Sequence, residues 1–123
     1  IVIGVGGSGV TTISRVLAEA ASDMAGRDDL SFKFVDQKGL AQRNGSVISH
    51  VSIFSKKKSH GPLVPLATAD LVLSPDLLEG ARAVEYLSPK GILIIDSDYQ
   101  VPLSILLDKA TDHEAMTTEK MQA

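Results

Sequence analysis

Cysteine is absent from all 123 residues. The chain therefore offers no disulfide framework, no thiol nucleophile and no thiolate ligand for zinc or an iron–sulfur cluster. Tryptophan is absent too and aromatics make up only 4%, which fits a branched-aliphatic core better than an aromatic-rich binding surface. No apolar run approaches the roughly 20 residues needed to span a bilayer, and no basic-then-apolar segment reads as a signal peptide. An excess of positive charge is also missing: the formal net charge is −3, which argues against general nucleic-acid binding. With 22% charged residues, the chain is not a disordered tail or a low-complexity polymer.

What is present is 44% hydrophobic residues, with Ile, Val and Leu supplying 34 of them. The length suits one compact domain, read as spanning residues 1–123. A chain that opens on Ile1 without methionine reads as trimmed from something longer. Charge is divided along it. Residues 1–60 carry eight Lys/Arg against five Asp/Glu, and residues 61–123 carry four against ten. An anionic ligand is therefore easier to place near the N-terminal half.

Ile1 to Val5 is a short apolar run that breaks into Gly4-Val5-Gly6-Gly7-Ser8-Gly9 before a periodic stretch. Val10, Ile13, Leu17, Ala21 and Met24 recur at three- and four-residue intervals, so this is strand, tight turn and helix, ending near Gly26-Arg27. Leu30 to Val35 reads as a second strand, closed by Asp36. Residues 40–45 form a polar loop too short for an ordinary helix, and Ser46 to Phe54 a third strand with His50 and Ser52 opposite Val47, Val51 and Ile53. Ala69 to Leu73 is a fourth strand. Ser74-Pro75-Asp76 then reads as N-cap, first helical position and acidic first turn of a helix over 75–87. Ser88 to Gly91 is a turn into a strand over Ile92 to Ile95, and Pro102 to Ala110 a last helix. Residues 111–123 are polar and lack a core pattern. This alternation predicts an α/β domain: a three-layer αβα, Rossmann-like, open and mostly parallel sheet, incomplete at the C-terminus.

The Gly-rich turn fits G-x-G-x-x-G at Gly4, Gly6 and Gly9. Glycines there permit positive φ and close approach, and the free amides of a helix start attract an anion. They equally permit tight strand-to-helix packing with no ligand. Asp36 stands where dinucleotide folds place a ribose-binding acid but is somewhat far from the turn, and is read as a solvated strand-end carboxylate. Lys56-Lys57-Lys58 is a wet hairpin tip. His50 has no second histidine at metal spacing, and Asp96 with Asp98 lack a third ligand for magnesium. In Gln42-Arg43-Asn44-Gly45, the planar fork of Arg43 suits a polyanion or a partner carboxylate, or caps its own loop.

Three stretches together resemble one family: Gly4 to Thr12, Lys38 to Val51 with its Gly39-Leu40-Ala41-Gln42-Arg43-Asn44-Gly45 core, and Ala69 to Leu73. They are similar to the gamma domain of 2-oxoacid:ferredoxin oxidoreductases, the pyruvate, ketoisovalerate and indolepyruvate enzymes, with the middle stretch closest to the indolepyruvate type. The resemblance runs to about residue 103. It implies a cytoplasmic assembly that decarboxylates a 2-oxoacid on thiamine diphosphate, passes electrons through iron–sulfur clusters to external ferredoxin, and delivers the acyl group to coenzyme A. Thiamine diphosphate and the clusters are expected on alpha- and beta-type subunits and a ferredoxin-like delta component. No nucleic acid, membrane, catalytic residue or metal is expected at this domain, and the isolated chain is expected to be inactive. A coenzyme A-binding contribution is placed on Gly6, Gly7, Ser8, Gly9, Lys38, Gln42, Arg43, Asn44 and Gly45. Ser8 stands where many members carry Gln or Thr. The family's domain continues with further sheet and helix. Two other classes share the glycine turn: a free-standing NAD(P)-binding oxidoreductase domain and an adenylating module, the latter wanting an Arg-rich loop and cysteines that are absent here.

Overall fold

The computed structural model describes residues 1–27, 29–40, 45–58 and 61–97. In chain order the elements are β1 (Val2–Val5), α1 (Val10–Arg27), β2 (Leu30–Lys38), β3 (Ser46–Ser55), β4 (Ala69–Ser74), α2 (Leu77–Arg82), a 3-10 turn (Ala83–Tyr86) and β5 (Leu87–Ile95). The strands form one sheet in the order β2-β3-β1-β4-β5. β1, β4 and β5 pair in parallel, while β3 is antiparallel to both β1 and β2. The expected open, mostly parallel sheet is thus present as a mixed one in which β3 alone is reversed. The reason is length: only residues 39–45 separate β2 from β3, and a parallel return needs about a dozen or more.

β1 is the central strand and is buried on both faces, with Val2 1% and Ile3 2% exposed. This is why it reads as a continuous apolar run instead of an alternating one. Val2 packs with Val10 of α1 and Val47 of β3, and Ile13 and Leu73 close against them. On the other face Ile1, Ile3, Val72 and Ala83 form a second cluster, with Tyr86 and Leu93 packed on it. α1 therefore covers one face, and α2 with the 3-10 turn covers the other, giving the three layers expected. Along α1, Val10 and Ala21 are buried as the periodicity predicts, and so is Ser14, whose hydroxyl donates to the Val10 carbonyl at 2.7 Å. Leu17 and Met24 on the same predicted face stay largely exposed.

Several boundaries differ from the sequence reading: β2 runs on to Lys38, and the helix expected over 75–87 is α2 followed by the 3-10 turn. β5 begins at Leu87 and takes in the expected 88–91 turn, with a register shift where Ala69 and Leu71 pair with Leu87 and Ile92. α2 is capped by Asp76, whose side chain accepts from the Glu79 amide at 2.8 Å, and not by Ser74. Ser74 still belongs to β4, and its hydroxyl is occupied with the Asp76 carbonyl at 2.7 Å. The expected helix over 102–110 lies outside the described residues. Among the described residues, no helix is long and apolar enough to cross a membrane.

Candidate functional site

β1, β2, β4 and β5 all point their carboxyl ends at one edge of the sheet, and β3 starts there. β1 and β4 are parallel neighbours whose following helices go to opposite faces, so the crevice above them is the topological switch point, where open α/β sheets bind ligands.

The glycine turn forms one wall of this crevice. Gly7 and Gly9 have φ of 93° and 91°, a conformation that costs an L side chain strain but leaves glycine free. The turn is closed by Ser8, whose amide and hydroxyl both donate to the Val5 carbonyl, at 3.1 and 2.7 Å. The Ser8 hydroxyl hydrogen is thus turned inward to the strand end. α1 begins with the Ile13 amide donating to Gly9 O at 3.0 Å, which leaves the amides of Val10, Thr11 and Thr12 without intrahelical acceptors. A cavity of about 200 Å³ opens here, lined by Gly6, Gly7, Gly9, Thr11, Thr12 and Val47 among others. Its donors are backbone amides at the positive end of a helix of 18 residues, the chemistry that suits a phosphate-sized anion.

The second wall is the start of β3. The Gly6 amide donates to the Gly45 carbonyl at 2.9 Å, and the Gly39 amide to the Ser46 carbonyl at 2.8 Å. The glycine turn therefore meets Gly45, and Gly39 meets Ser46, although β1 and β2 are not neighbours. Reversed β3 lies between those strands and brings Gly45 back to β1, with Val5 opposite Ser46. Lys38 is exposed on the same edge. Of the residues singled out from sequence, the structure brings together Gly6, Gly7, Ser8, Gly9 and Gly45, while Gln42, Arg43 and Asn44 lie outside the described residues.

Asp36 is placed differently from both of its sequence readings. β2 continues to Lys38, so Asp36 is not at the strand end. It sits opposite Ser49 in the β2–β3 ladder and accepts its hydroxyl at 2.5 Å. β3 separates it from the glycine turn, so it is not beside that turn as a ribose ligand would be.

Two acids that the sequence did not single out as site residues stand behind the crevice. Asp76 and Glu79 are 1% and 4% exposed. Glu79 accepts from the Ser46 hydroxyl on Oε2 and from Arg82 Nη1 on Oε1, each at 2.7 Å. Asp76 has one oxygen on the α2 amide, while its Oδ2 is buried with no partner. The only local signal was the capping chemistry of 74–76, and Ser46 and Glu79 are 33 positions apart. Among the described residues, no group of His, Asp and Glu is placed to hold a metal ion.

His50 lies on the face away from α1. Its Nδ1 accepts the Val64 amide at 3.1 Å, its Nε2 faces Gln37 Oε1 at 3.1 Å, and its ring meets Tyr86 edge-on with centroids 6.0 Å apart. Burial, with a smaller contribution from the positive amino terminus, pushes its pKa below the ordinary histidine value. It is a packed residue fixed as the neutral Nε2–H tautomer. At the opposite edge of the sheet, an apolar cavity of about 620 Å³ is walled by Ile13, Leu17, Ile53, Leu63, Val64 and Leu71 among others; no sequence pattern announced it.

Comparison with known proteins agrees with this architecture. Residues 1–121 match the family described as pyruvate ferredoxin/flavodoxin oxidoreductase. The indolepyruvate oxidoreductase subunit IorB of Methanothermobacter thermautotrophicus is 32% identical over 105 residues, covering 85% of this chain and 50% of that protein. The subunit of the same name from Archaeoglobus fulgidus is 32% identical over 105 residues, covering 85% and 49%, and that of Thermococcus kodakarensis 30% over 111 residues, covering 90% and 52%. The chain thus spans about half the length of these relatives. The glycine turn, the loop that returns to it and the strand beside it all fall inside the matched span, and the chain belongs to the pyruvate ferredoxin/flavodoxin oxidoreductase family.

Proposed function

We propose that this chain is the gamma-type domain of a thiamine diphosphate-dependent 2-oxoacid:ferredoxin oxidoreductase acting on a 2-oxoacid such as indolepyruvate, and that its switch-point edge holds a phosphate of coenzyme A. In the net reaction the 2-oxoacid loses its carboxylate as carbon dioxide, the acyl group joins the coenzyme A thiol, a proton is released, and an electron pair leaves in single steps to ferredoxin. Thiamine diphosphate and the iron–sulfur clusters belong to alpha- and beta-type subunits and a ferredoxin-like component, a division that suits a chain without cysteine. This domain's own share is binding and orientation. The amides that begin α1 face the anion, Gly7 and Gly9 keep side chains out of its way, and Lys38 and Arg43 add full positive charge.

The observation that supports this reading is the Gly6–Gly45 hydrogen bond of 2.9 Å, which sets the glycine turn against the last residue of the Gly39–Gly45 stretch. The names of the relatives, subunits of indolepyruvate oxidoreductase, support the substrate class. The test is calorimetric titration of the chain with coenzyme A and, separately, NADH. Coenzyme A is expected to bind, NADH to bind weakly or not at all, and Gly7→Asp, which sets a carboxylate in the turn, to abolish coenzyme A binding. In a second assay, the purified chain given indolepyruvate or pyruvate, coenzyme A and a viologen acceptor is expected to give no reduction; reduction by the chain alone overturns the subunit reading.

A further inference from the structure

Ser46 is the point where three parts of the crevice meet. Its hydroxyl donates to Glu79 Oε2 at 2.7 Å, its carbonyl accepts the Gly39 amide at 2.8 Å, and the preceding carbonyl, that of Gly45, accepts the Gly6 amide at 2.9 Å. Glu79 is 4% exposed, and its second oxygen is taken by Arg82 at 2.7 Å. Stripping an oxygen of so buried a carboxylate of its hydrogen bond costs free energy. Any movement of Ser46 away from α2 strips Oε2 of its partner, so Glu79 resists that movement. Arg82 holds the carboxylate from outside, with its side chain 64% exposed.

We propose that Glu79 and Ser46 are positioning residues: through their hydrogen bond, α2 fixes the start of β3 and thereby sets Gly45 against the glycine turn, which tunes the affinity of the anionic group bound there. The positioning rests on the geometry above. The consequence for affinity rests on the reading of the edge as a coenzyme A site. Neither residue touches the anion in this proposal, and both act through Gly45.

The test uses the assembled oxidoreductase and compares Ser46→Ala, Ser46→Thr and Glu79→Gln with the wild type. An amide in place of the carboxylate keeps the shape but presents one acceptor oxygen in place of two; with that oxygen on Arg82 its nitrogen meets the Ser46 hydroxyl as a donor, so the charge-assisted bond is replaced by a weaker neutral one. Hydrogen–deuterium exchange over residues 5–9, read by mass spectrometry, reports the Gly6 amide directly. Ser46→Ala is expected to speed that exchange and to raise the KM for coenzyme A, each by about fivefold, at unchanged kcat, which is the scale of one lost hydrogen bond, and Glu79→Gln to do both by a smaller factor. Ser46→Thr keeps the hydroxyl and is expected to restore both. Exchange unchanged in both Ser46→Ala and Glu79→Gln overturns the positioning role, even if the melting temperature falls. Faster exchange with unchanged KM upholds the positioning and removes coenzyme A from this edge, so the two readings fail separately.

Discussion

The amide of Gly6 donates to the carbonyl of Gly45 across 2.9 Å, joining the residue that follows β1 to the residue that precedes β3, two strands that run in opposite directions. In a purely parallel sheet each strand would send its loop away at this edge. Here reversed β3 starts where β1 ends, with Val5 opposite Ser46, so one loop returns to the other's turn. The reversal lets a glycine turn gain a second wall without an inserted domain.

The glycines of the turn are not equivalent. A Cβ on Gly4 would lie 2.8 Å from both Ser8 Oγ and Val10 Cγ2 and 3.2 Å from Pro75 Cγ, so Gly4→Ala overpacks the crevice floor and is expected to cost about 1–3 kcal/mol. A Cβ on Gly7 meets nothing within 4 Å, and there the penalty comes from φ of +93°. Gly7→Ala is expected to cost about 1–2 kcal/mol, and Gly7→Asn less, because asparagine tolerates the left-handed region. Urea denaturation of the three variants checks this; equal losses in Gly7→Ala and Gly7→Asn would refute the backbone explanation.

Asp76 caps α2 through one oxygen and leaves the other buried and unpartnered. Asp76→Ala removes the cap and is expected to lower stability by about 0.5–2 kcal/mol. Asp76→Ser keeps an acceptor for the Glu79 amide and removes the unpartnered oxygen, so it is expected to fall between Ala and the wild type. Thermal melts decide the matter: Asp76→Ser no more stable than Asp76→Ala would refute this account of the cap.

The legible and illegible parts of this fold divide by range. Glycine turn, helix start and β1 were readable because each is dictated within a few residues: Gly7 and Gly9 by their φ values, β1 by its run of buried aliphatics. The reversal of β3 was implicit in the short 39–45 connection, which no crossover can use. The cap of α2 was read as Ser74 and is Asp76: both have capping chemistry, and the hydrogen-bond geometry at the end of β4 decides between them. The Ser46–Glu79 and Ser49–Asp36 bonds had no local signal. They depend on sheet order and register, and bring together residues 33 and 13 positions apart.

His50 makes folding sensitive to acid. Its pKa in the fold is lowered, first by burial and then by the amino terminus, and its Nδ1 accepts a backbone amide. Gln37, Tyr86 and the Ile1 amino group face it from the neighbouring elements. The unfolded chain, with histidine near its ordinary value of about 6.5, therefore binds more protons than the native state, and stability rises with pH across that interval. The stabilisation is fully present above about pH 6.5 and is lost as pH falls below that value toward the lowered native pKa. Urea midpoints at pH 7.5 and at about pH 5.5 are expected to differ in the wild type and to differ less in His50→Gln, which cannot titrate. An unchanged difference in His50→Gln would place the sensitivity elsewhere.

Arg43 belongs to the stretch outside the described residues, between the fully exposed Leu40 and the anchored Gly45. Its chemistry nevertheless yields a sharp test. The loop leaves and rejoins the sheet on the edge that carries the amides at the start of α1, and the N-terminal half of the chain carries the positive excess. A guanidinium there gives a planar fork of donors to a phosphate or a partner carboxylate. If that is its work, Arg43→Ala leaves folding stability within about ±0.5 kcal/mol, as for a surface site, and weakens coenzyme A or partner binding by about 1.5–3 kcal/mol through the loss of a charge-assisted bond. Arg43→Lys retains the charge but not the fork, and is expected to recover only part of that affinity. If Arg43 instead braces its own loop carbonyls, the order inverts: the melting temperature falls and the affinity of the remaining folded protein is unchanged. Measuring both quantities on the same preparations separates the two roles.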